Sequence, residues 1–258
     1  MKNLFSLVAI IIILACNNPA TNGIGDTANI NVESPESGST DGNCGTTLLF
    51  RKGVVIHSAS FDGTGKEIAK SVSTATKVYN ESGMTISEWE MKNTTEGREE
   101  KAFKAIYKCD GKLLHIDLSG LLPRNQQNTK IESSGLQFPL HVSVGETLPE
   151  AHHSMTMNSG GKEMKITSHI KERKVEAKES VTTPAGTFEC YRISSVIEAE
   201  TDMPGMDEKS KKIMEEVKKK MGKNRMICWY VPDVTIIKME FHMGDKLITR
   251  TEVTAIKK

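Results

Sequence analysis

The sequence predicts an all-β fold: a single domain of about ten antiparallel strands that form a curled sheet, a partial barrel or a sandwich, with one inserted amphipathic helix at about residues 206–221. Three observations predict it. Apolar and polar residues alternate with a period of two along much of the chain, and tight turn pairs join some of these runs into hairpins. Strand-length and helix-length segments do not alternate, as a parallel βαβ fold would require.

The N-terminus is predicted to be a lipoprotein signal peptide at residues 1–15. Lys2 precedes an almost unbroken apolar run at residues 4–15, which is shorter than the roughly 20 residues of a transmembrane helix. The run ends in Ile13-Leu14-Ala15-Cys16, which resembles the bacterial lipobox, so Cys16 is the predicted lipidation site. The alternative is an ordinary secretory signal with an incidental cysteine.

The residues after Cys16 predict where the anchored protein lies. Asn17 stands where Asp would signal retention in the inner membrane, so we expect an outer-membrane lipoprotein. No acidic cluster follows Cys16, which favours the periplasmic face over the cell surface. Residues 16–43 are rich in Asn, Gly, Ser, Thr, Asp and Pro, a composition typical of a flexible tether, and the all-β domain is expected at residues 44–258.

Four further cysteines predict disulfides: Cys44, Cys109, Cys190 and Cys228. An even number of cysteines in an exported chain favours two bonds. Three pairings are possible and the spacing does not choose among them. The alternative is a set of buried free thiols.

Two hairpins are the clearest strand predictions. Residues 103–109 and 113–118 alternate on either side of Asp110-Gly111, and residues 237–243 and 247–253 alternate on either side of Gly244-Asp245. Six other runs are predicted as strands: 47–61, 67–80, 85–93, 163–180, 186–201 and 225–231. Residues 121–151 contain three prolines and are predicted to be irregular.

The predicted helix covers residues 207–221, where acidic residues open the segment and lysines close it, as the helix dipole favours. Residues 207–225 carry a net charge of +4. Apolar side chains at helical spacing suggest a lid over an apolar ligand in the concave face of the sheet. The candidate ligand contacts are Met206, Ile213, Met214, Val217 and Met221. The alternative is a linker helix packed on the sheet.

Four segments resemble one family. They are Tyr107-Lys108-Cys109-Asp110-Gly111-Lys112, His115-Ile116-Asp117-Leu118, Thr183-Pro184-Ala185-Gly186-Thr187-Phe188-Glu189-Cys190-Tyr191-Arg192-Ile193 and Trp229-Tyr230-Val231-Pro232. Together they resemble the TapB-like exported proteins, an uncharacterised all-β family, over about residues 44–258. The resemblance implies a fold and an envelope location but no chemistry. Because two of these segments carry Cys109 and Cys190, it also favours a bond between them.

Charge and motifs narrow the function. With 34 basic and 33 acidic residues the chain lacks the basic excess of nucleic-acid binders, so no nucleic acid is expected as a partner. We find no catalytic motif and predict no enzyme activity, no cofactor and no metal. His152-His153 is read as a solvated loop pair, because adjacent strand residues chelate poorly. His115, Asp117 and His141 are read as polar surface positions that could also meet in space.

The predicted function is therefore a lipid-anchored, non-enzymatic binding or scaffold protein of the envelope. Its expected partners are the membrane, through the N-terminal lipid, and an envelope protein or an apolar ligand. A carrier of a lipid or other apolar ligand, covered by the helix at about 206–221, is one alternative. A hydrolase with a site assembled around His115, Asp117 or His152 is the second.

Overall fold

The computed structural model describes residues 44–95, 97–100, 102–117, 129–159, 162–202, 208, 212, 216 and 223–258. A short 3₁₀ turn at Leu48–Phe50 precedes fourteen strands. In chain order these are β1 Val55–Asp62, β2 Glu67–Glu81, β3 Met84–Thr95, β4 Arg98–Glu99, β5 Phe103–Cys109, β6 Leu113–Asp117, β7 Thr129–Ser133, β8 Leu136–Pro139, β9 Ala151–Ser159, β10 Lys162–Thr183, β11 Gly186–Asp202, β12 Asn224–Val231, β13 Thr235–Met243 and β14 Lys246–Lys257.

All fourteen strands belong to one antiparallel sheet. Its order is β7-β9-β10-β11-β12-β13-β14-β1-β2-β3-β5-β6-β8, and β4 pairs with β3. Most neighbours in this order are also neighbours in sequence, which is the consequence of hairpin connections between successive runs. The sheet is open, since β7 and β8 form its two ends. The prediction of an all-β curled sheet is confirmed, and within the described residues no helix long and apolar enough to cross a membrane is found.

The predicted strand count and several boundaries were wrong. Fourteen strands replace about ten. The additional strands are β4, β7 and β8, of which the last two lie inside the segment 121–151 that the prolines marked as irregular, and β9, which begins at the end of that segment. β7 and β8 are only five and four residues long, too short for an alternating pattern to be recognised, and their pairing with β9 and β6 defines them. The predicted strand at 47–61 begins only at Val55, after the 3₁₀ turn.

The helix predicted at about 206–221 lies outside the described residues, apart from Glu208, Lys212 and Glu216. These three positions have helical backbone and are exposed, but they define no element of the described structure.

The sheet rolls up around a core on its concave face. Phe138 of β8 and Tyr230 of β12 are many strands apart in the sheet order, yet their ring centroids are 4.9 Å apart. The Tyr230 hydroxyl also donates to the carbonyl of Pro139 at 3.2 Å. Such contacts require that the two halves of the sheet face each other. We call the enclosed space the sheet interior.

The core in the sheet interior is continuous. Its largest fully buried side chain is Trp89, which is 1% exposed and donates its indole N–H to the carbonyl of Leu49 at 3.1 Å. The 3₁₀ turn thereby closes one end of the interior. Leu48 extends this closure, since its N–H donates to the carbonyl of Asp233 in the β12–β13 turn.

A disulfide between Cys44 and Cys109 holds the start of the domain to the end of β5. The N–H of Gly111, in the β5–β6 turn, donates to the sulfur of Cys44 at 3.1 Å. The bond lies where the predicted tether enters the domain, so it fixes the position at which the tether leaves the sheet.

The remaining cysteine predictions were wrong. Cys190 and Cys228 are free and buried, so a second disulfide is absent from the described residues, and Cys109 pairs with Cys44 rather than with Cys190. Cys228 belongs to the interior core, whereas Cys190 packs with Trp229 on the opposite face of the sheet. Side chains on opposite faces point apart, so these two thiols cannot bond.

We predict that the disulfide contributes substantially to stability. Its sequence separation is 65 residues, and closing a loop of that length in the unfolded chain is worth about 4 kcal/mol on the chain-entropy model. Urea titration of the Cys44→Ser, Cys109→Ser double variant should show a lower free energy of unfolding by roughly this amount. A reducing agent should lower the midpoint of the wild type to that of the variant and leave the variant unchanged. Equal midpoints for the oxidised wild type and the variant would contradict the prediction.

Candidate functional site

A bulge in β10 determines which side chain enters the sheet interior. Before the bulge, the buried residues of β10 are Ile166, Ser168 and Ile170, at even positions; after it they are Arg173 and Val175, at odd positions. The pairing with β11 skips from Lys171↔Val196 to Lys174↔Ser194. Two residues of β10, Glu172 and Arg173, thus lie opposite one residue of β11, Ser195, which is the arrangement of a β-bulge.

The bulge exchanges a negative charge for a positive one. In a regular strand, the alternation set by Ile170 would turn Glu172 inward and Arg173 outward. Glu172 instead adopts a left-handed backbone with a φ of 51°, which is uncommon for a residue with a side chain, and it is exposed. Arg173 is 1% exposed. The backbone strain at Glu172 is therefore tied to the burial of the guanidinium.

The contacts of Arg173 involve one edge of its guanidinium and leave the nitrogen atoms of another edge without hydrogen bonds. Nη1 donates to the carbonyl of Pro149 at 2.6 Å, and the guanidinium carbon lies 4.9 Å from the centroid of the Phe138 ring. Nε and Nη2 are buried and have no hydrogen-bond partner among the described residues. No carboxylate within the described ranges forms an ion pair with this side chain.

Two further polar groups share this part of the interior. Ser195 is 2% exposed, and its hydroxyl oxygen likewise lacks a hydrogen-bond partner in the described part of the chain. Cys228 is close enough to Arg173 that the two side chains influence each other's ionisation. Burial raises the pKa of the Cys228 thiol to about 12, and burial lowers the pKa of Arg173 to about 10. At neutral pH the thiol is therefore neutral and the guanidinium keeps its charge.

The histidine pair occupies a strand rather than the predicted loop. His152 and His153 lie in β9 and face opposite sides, so His152 is exposed whereas His153 is 5% exposed. The ring of His152 lies 6.3 Å from that of His169. No group of three or more His, Cys, Asp or Glu side chains that could hold a metal occurs among the described residues.

Of the residues of the hydrolase alternative, His115 and Asp117 share β6, whereas His152 lies in β9. His115 of β6 lies 3.6 Å from the Asp110 carboxylate in the neighbouring turn, whereas His152 of β9 stacks near His169 of β10. Asp117 ends β6, and His141 is exposed in the connection after β8. The contacts just described join none of these four residues to another.

Two of the four segments that carried the family resemblance, 183–193 and 229–232, meet on the convex face. Phe188, Cys190, Trp229 and Ile237 form a second buried cluster there. The Trp229 indole donates to Glu179 at 2.6 Å, and the Lys238 ammonium lies 4.3 Å from the ring centroid. These two segments therefore contribute packing between the β10–β11 hairpin and β12.

The other predicted site residues lie outside the described part of the chain. They are the lipidation site Cys16 and the five candidate lid residues Met206, Ile213, Met214, Val217 and Met221.

Sequence reasoning missed Arg173 because it stands in Lys171-Glu172-Arg173-Lys174, a run of charges that resembles a solvated strand face. One signal was available. Ile170 and Val175 are both apolar but five residues apart, and this odd spacing implies a change of phase, and hence a bulge, between them.

The comparisons with known proteins agree with the fold. A family model described as DUF3108-like matches residues 51–253. The crystal structure of a protein from Bacteroides fragilis, assigned as exported and having a YmcC-like fold, is 15% identical with a TM-score of 0.61, over 82% of this chain and 99% of that chain. A protein from Parabacteroides distasonis, assigned as a lipoprotein, is 19% identical with a TM-score of 0.60, over 81% of this chain and 96% of that chain. No curated protein matches the sequence.

The two structural similarities show that this chain shares the YmcC-like β fold.

The buried histidine predicts a dependence of stability on pH. Burial, followed by the neighbouring His152 and His169, lowers the pKa of His153 below its ordinary value of 6.5. Below about pH 6.5 the unfolded chain therefore binds a proton that the folded protein does not, so stability falls as the pH decreases through this range. Denaturant titrations between pH 7.5 and 5 should show a smaller decrease for His153→Gln than for the wild type. The exposed His141→Gln serves as the control, and a wild-type slope in His153→Gln would contradict the assignment.

Proposed function

We propose that this chain, which belongs to the DUF3108-like family, is a lipid-anchored protein of the bacterial envelope that binds a ligand or partner and catalyses no reaction. The lipobox-like segment ending in Cys16 supports the anchor, as does the assignment of one structural relative as a lipoprotein. The other relative is assigned as exported. The segments that resemble TapB-like proteins agree with an exported β-domain. They also suggest that, among exported β-domains, this chain is related to the TapB-like proteins.

The main support for the absence of catalysis in this proposal is the burial of the two free thiols. Cys190 and Cys228 are the strongest potential nucleophiles of the described domain, and both are buried. Burial raises the pKa of each thiol to about 12, so the reactive thiolate is almost absent at neutral pH. The histidines described above are not placed to activate them, which favours binding over covalent chemistry.

The position of the disulfide supports an anchored domain. Cys44 follows the predicted tether directly and is bonded at the β5–β6 turn. The end of the sheet that contains this turn therefore faces the membrane in our proposal. We propose that the lipid lies in the outer membrane, because Asn17 stands where Asp would signal retention in the inner membrane. We propose that the domain lies on the periplasmic side, because no acidic cluster follows Cys16.

One observation favours the carrier alternative as a second candidate. A guanidinium with a free hydrogen-bonding edge, buried in an otherwise largely apolar interior, is suited to hold an acidic group of an apolar molecule. In this second proposal the segment at about 206–221 covers the ligand.

Lipid anchoring predicts the behaviour of a Cys16→Ala variant. Without the thiol no diacylglycerol can be attached, so the variant should lose its membrane affinity, since two acyl chains supply the firm anchoring. In a detergent phase-separation assay of cell extracts, the wild type should enter the detergent phase and the variant should remain aqueous or unprocessed. The partner control is Cys190→Ala, which should partition like the wild type. A processed wild type found in the aqueous phase would refute the anchor.

Buried thiols predict resistance to alkylation. Iodoacetamide at pH 8 should modify neither Cys190 nor Cys228 of the folded protein within the time that labels both after unfolding, because reaction requires exposed thiolate. Mass spectrometry of peptides measures the labelling at each position. Rapid labelling of either cysteine in the folded protein would indicate a reactive thiol and would count against a purely binding function.

A further inference from the structure

We propose that Arg173 and Ser195 form an oxyanion-binding site inside the sheet, which accepts a carboxylate or phosphate group of a small or apolar molecule. This inference deepens the proposed binding function and rests on it. It assigns the chemical class of the ligand and the residues that recognise it.

The first argument is the cost of burying Arg173. A buried charge is expensive unless it is paired and hydrogen-bonded, and proteins rarely bury arginine without a partner. Here the carbonyl of Pro149 satisfies Nη1, and the Phe138 ring supplies a cation–π contact. Neither carries a negative charge, and the neighbouring Cys228 thiol is neutral. In our proposal an anion bound beside Arg173 completes the charge balance.

The second argument is the geometry of the free edge. Nε and Nη2 lie on the same side of the planar guanidinium, and their N–H groups point in parallel. This edge matches the two oxygen atoms of a carboxylate or two oxygens of a phosphate in a bidentate contact. The bond from Nη1 to Pro149 fixes the rotation of the group and so keeps this edge turned away from the backbone.

The third argument is that the backbone is distorted at this position. Glu172 adopts a positive φ, which costs on the order of 1 kcal/mol or more for a non-glycine residue and tends to persist at functional sites. The same bulge places Ser195 opposite Arg173 in the pairing of β10 with β11. The Ser195 hydroxyl, itself without a partner in the described structure, can donate a third hydrogen bond to the anion.

The surroundings define the rest of the ligand. Ser195 pairs with Met226, and its neighbours on the same face of β11 are Ile193 and Ile197, all three members of the interior core. The positive charge excludes metal cations, and the apolar walls exclude large, strongly hydrated molecules. The ligand is therefore a small oxyanion or an apolar molecule with one acidic end.

The experiment compares matched probes on the full-length mature protein in non-ionic detergent. Hexanoate supplies a carboxylate on an apolar chain, hexanol is its uncharged counterpart, and inorganic phosphate tests the other source of the same chemistry. Calorimetric titration measures binding, and native mass spectrometry of the protein as purified detects an anion already bound. We expect binding of hexanoate or phosphate but not of hexanol, or a bound acidic molecule in the purified protein.

The variants separate recognition from folding. Arg173→Met keeps an unbranched side chain of similar length, removes the buried charge and should fold, and it should lose affinity on the order of a hundredfold because two charge-assisted hydrogen bonds disappear. Arg173→Lys should lose affinity too, because an ammonium cannot present two parallel donors. Ser195→Ala should weaken binding severalfold. Glu172→Gly keeps the positive φ without strain and should bind like the wild type.

The outcomes decide the proposal separately from the anchor. Saturable binding of phosphate alone identifies a phosphate ligand, whereas binding of hexanoate alone identifies an acidic apolar one. The oxyanion site is overturned if no probe binds and the purified protein carries no anion, or if folded Arg173→Met binds as tightly as the wild type. If Arg173→Met fails to fold, the Ser195→Ala and Arg173→Lys titrations decide the question in the same way. The Cys16→Ala partition result is independent of all these outcomes, so a failure of the site leaves the anchor intact.

Discussion

A single sheet that rolls upon itself must fill its own concave face, and most of this structure follows from that constraint. The chain has only 13 aromatic residues (two Trp, four Tyr and seven Phe), so their positions carry unusual weight. Trp89, Phe138 and Tyr230 lie in the interior core, and the contact between Phe138 and Tyr230 connects strands that are distant in the sheet order. The 3₁₀ turn closes one end of the interior by accepting the Trp89 N–H. Contacts between these buried side chains stabilise the arrangement in which the two halves of the open sheet face each other.

The same constraint explains why Arg173 is unexpected. An interior that is otherwise largely apolar gains nothing from a guanidinium unless something pairs with it, because the cost of desolvating the charge exceeds what one carbonyl and one aromatic ring return. Register shifts occur at several places in the sheet, but the stretch of β10 between Lys171 and Lys174 combines a register shift with a positive φ and a buried charge. Our proposal of a ligand site rests on the coincidence of these three features at one place.

On the convex face, distinctive sequence segments serve packing rather than binding. The segments around Cys190 and Trp229 are the most distinctive of the sequence, yet their side chains pack against one another beneath the long β10–β11 hairpin. A distinctive motif in a β-protein can thus mark a packing requirement between two long strands. The candidate binding residue Arg173, in contrast, comes from a run of charges that no motif marks.

The sequence by itself determined the all-β class and the antiparallel hairpins at Asp110-Gly111 and Gly244-Asp245, because these depend on residue types at short spacing. The tertiary structure alone decided the rest. The strands β7, β8 and β9 exist through pairing with partners already in place, the Cys44–Cys109 bond joins residues that only the rolled sheet brings together, and one extra residue in β10 turned Arg173 inward instead of Glu172. Local alternation has a period of two, so a single inserted residue reverses every assignment of inside and outside that follows it, and only the pairing of neighbouring strands fixes where that residue lies.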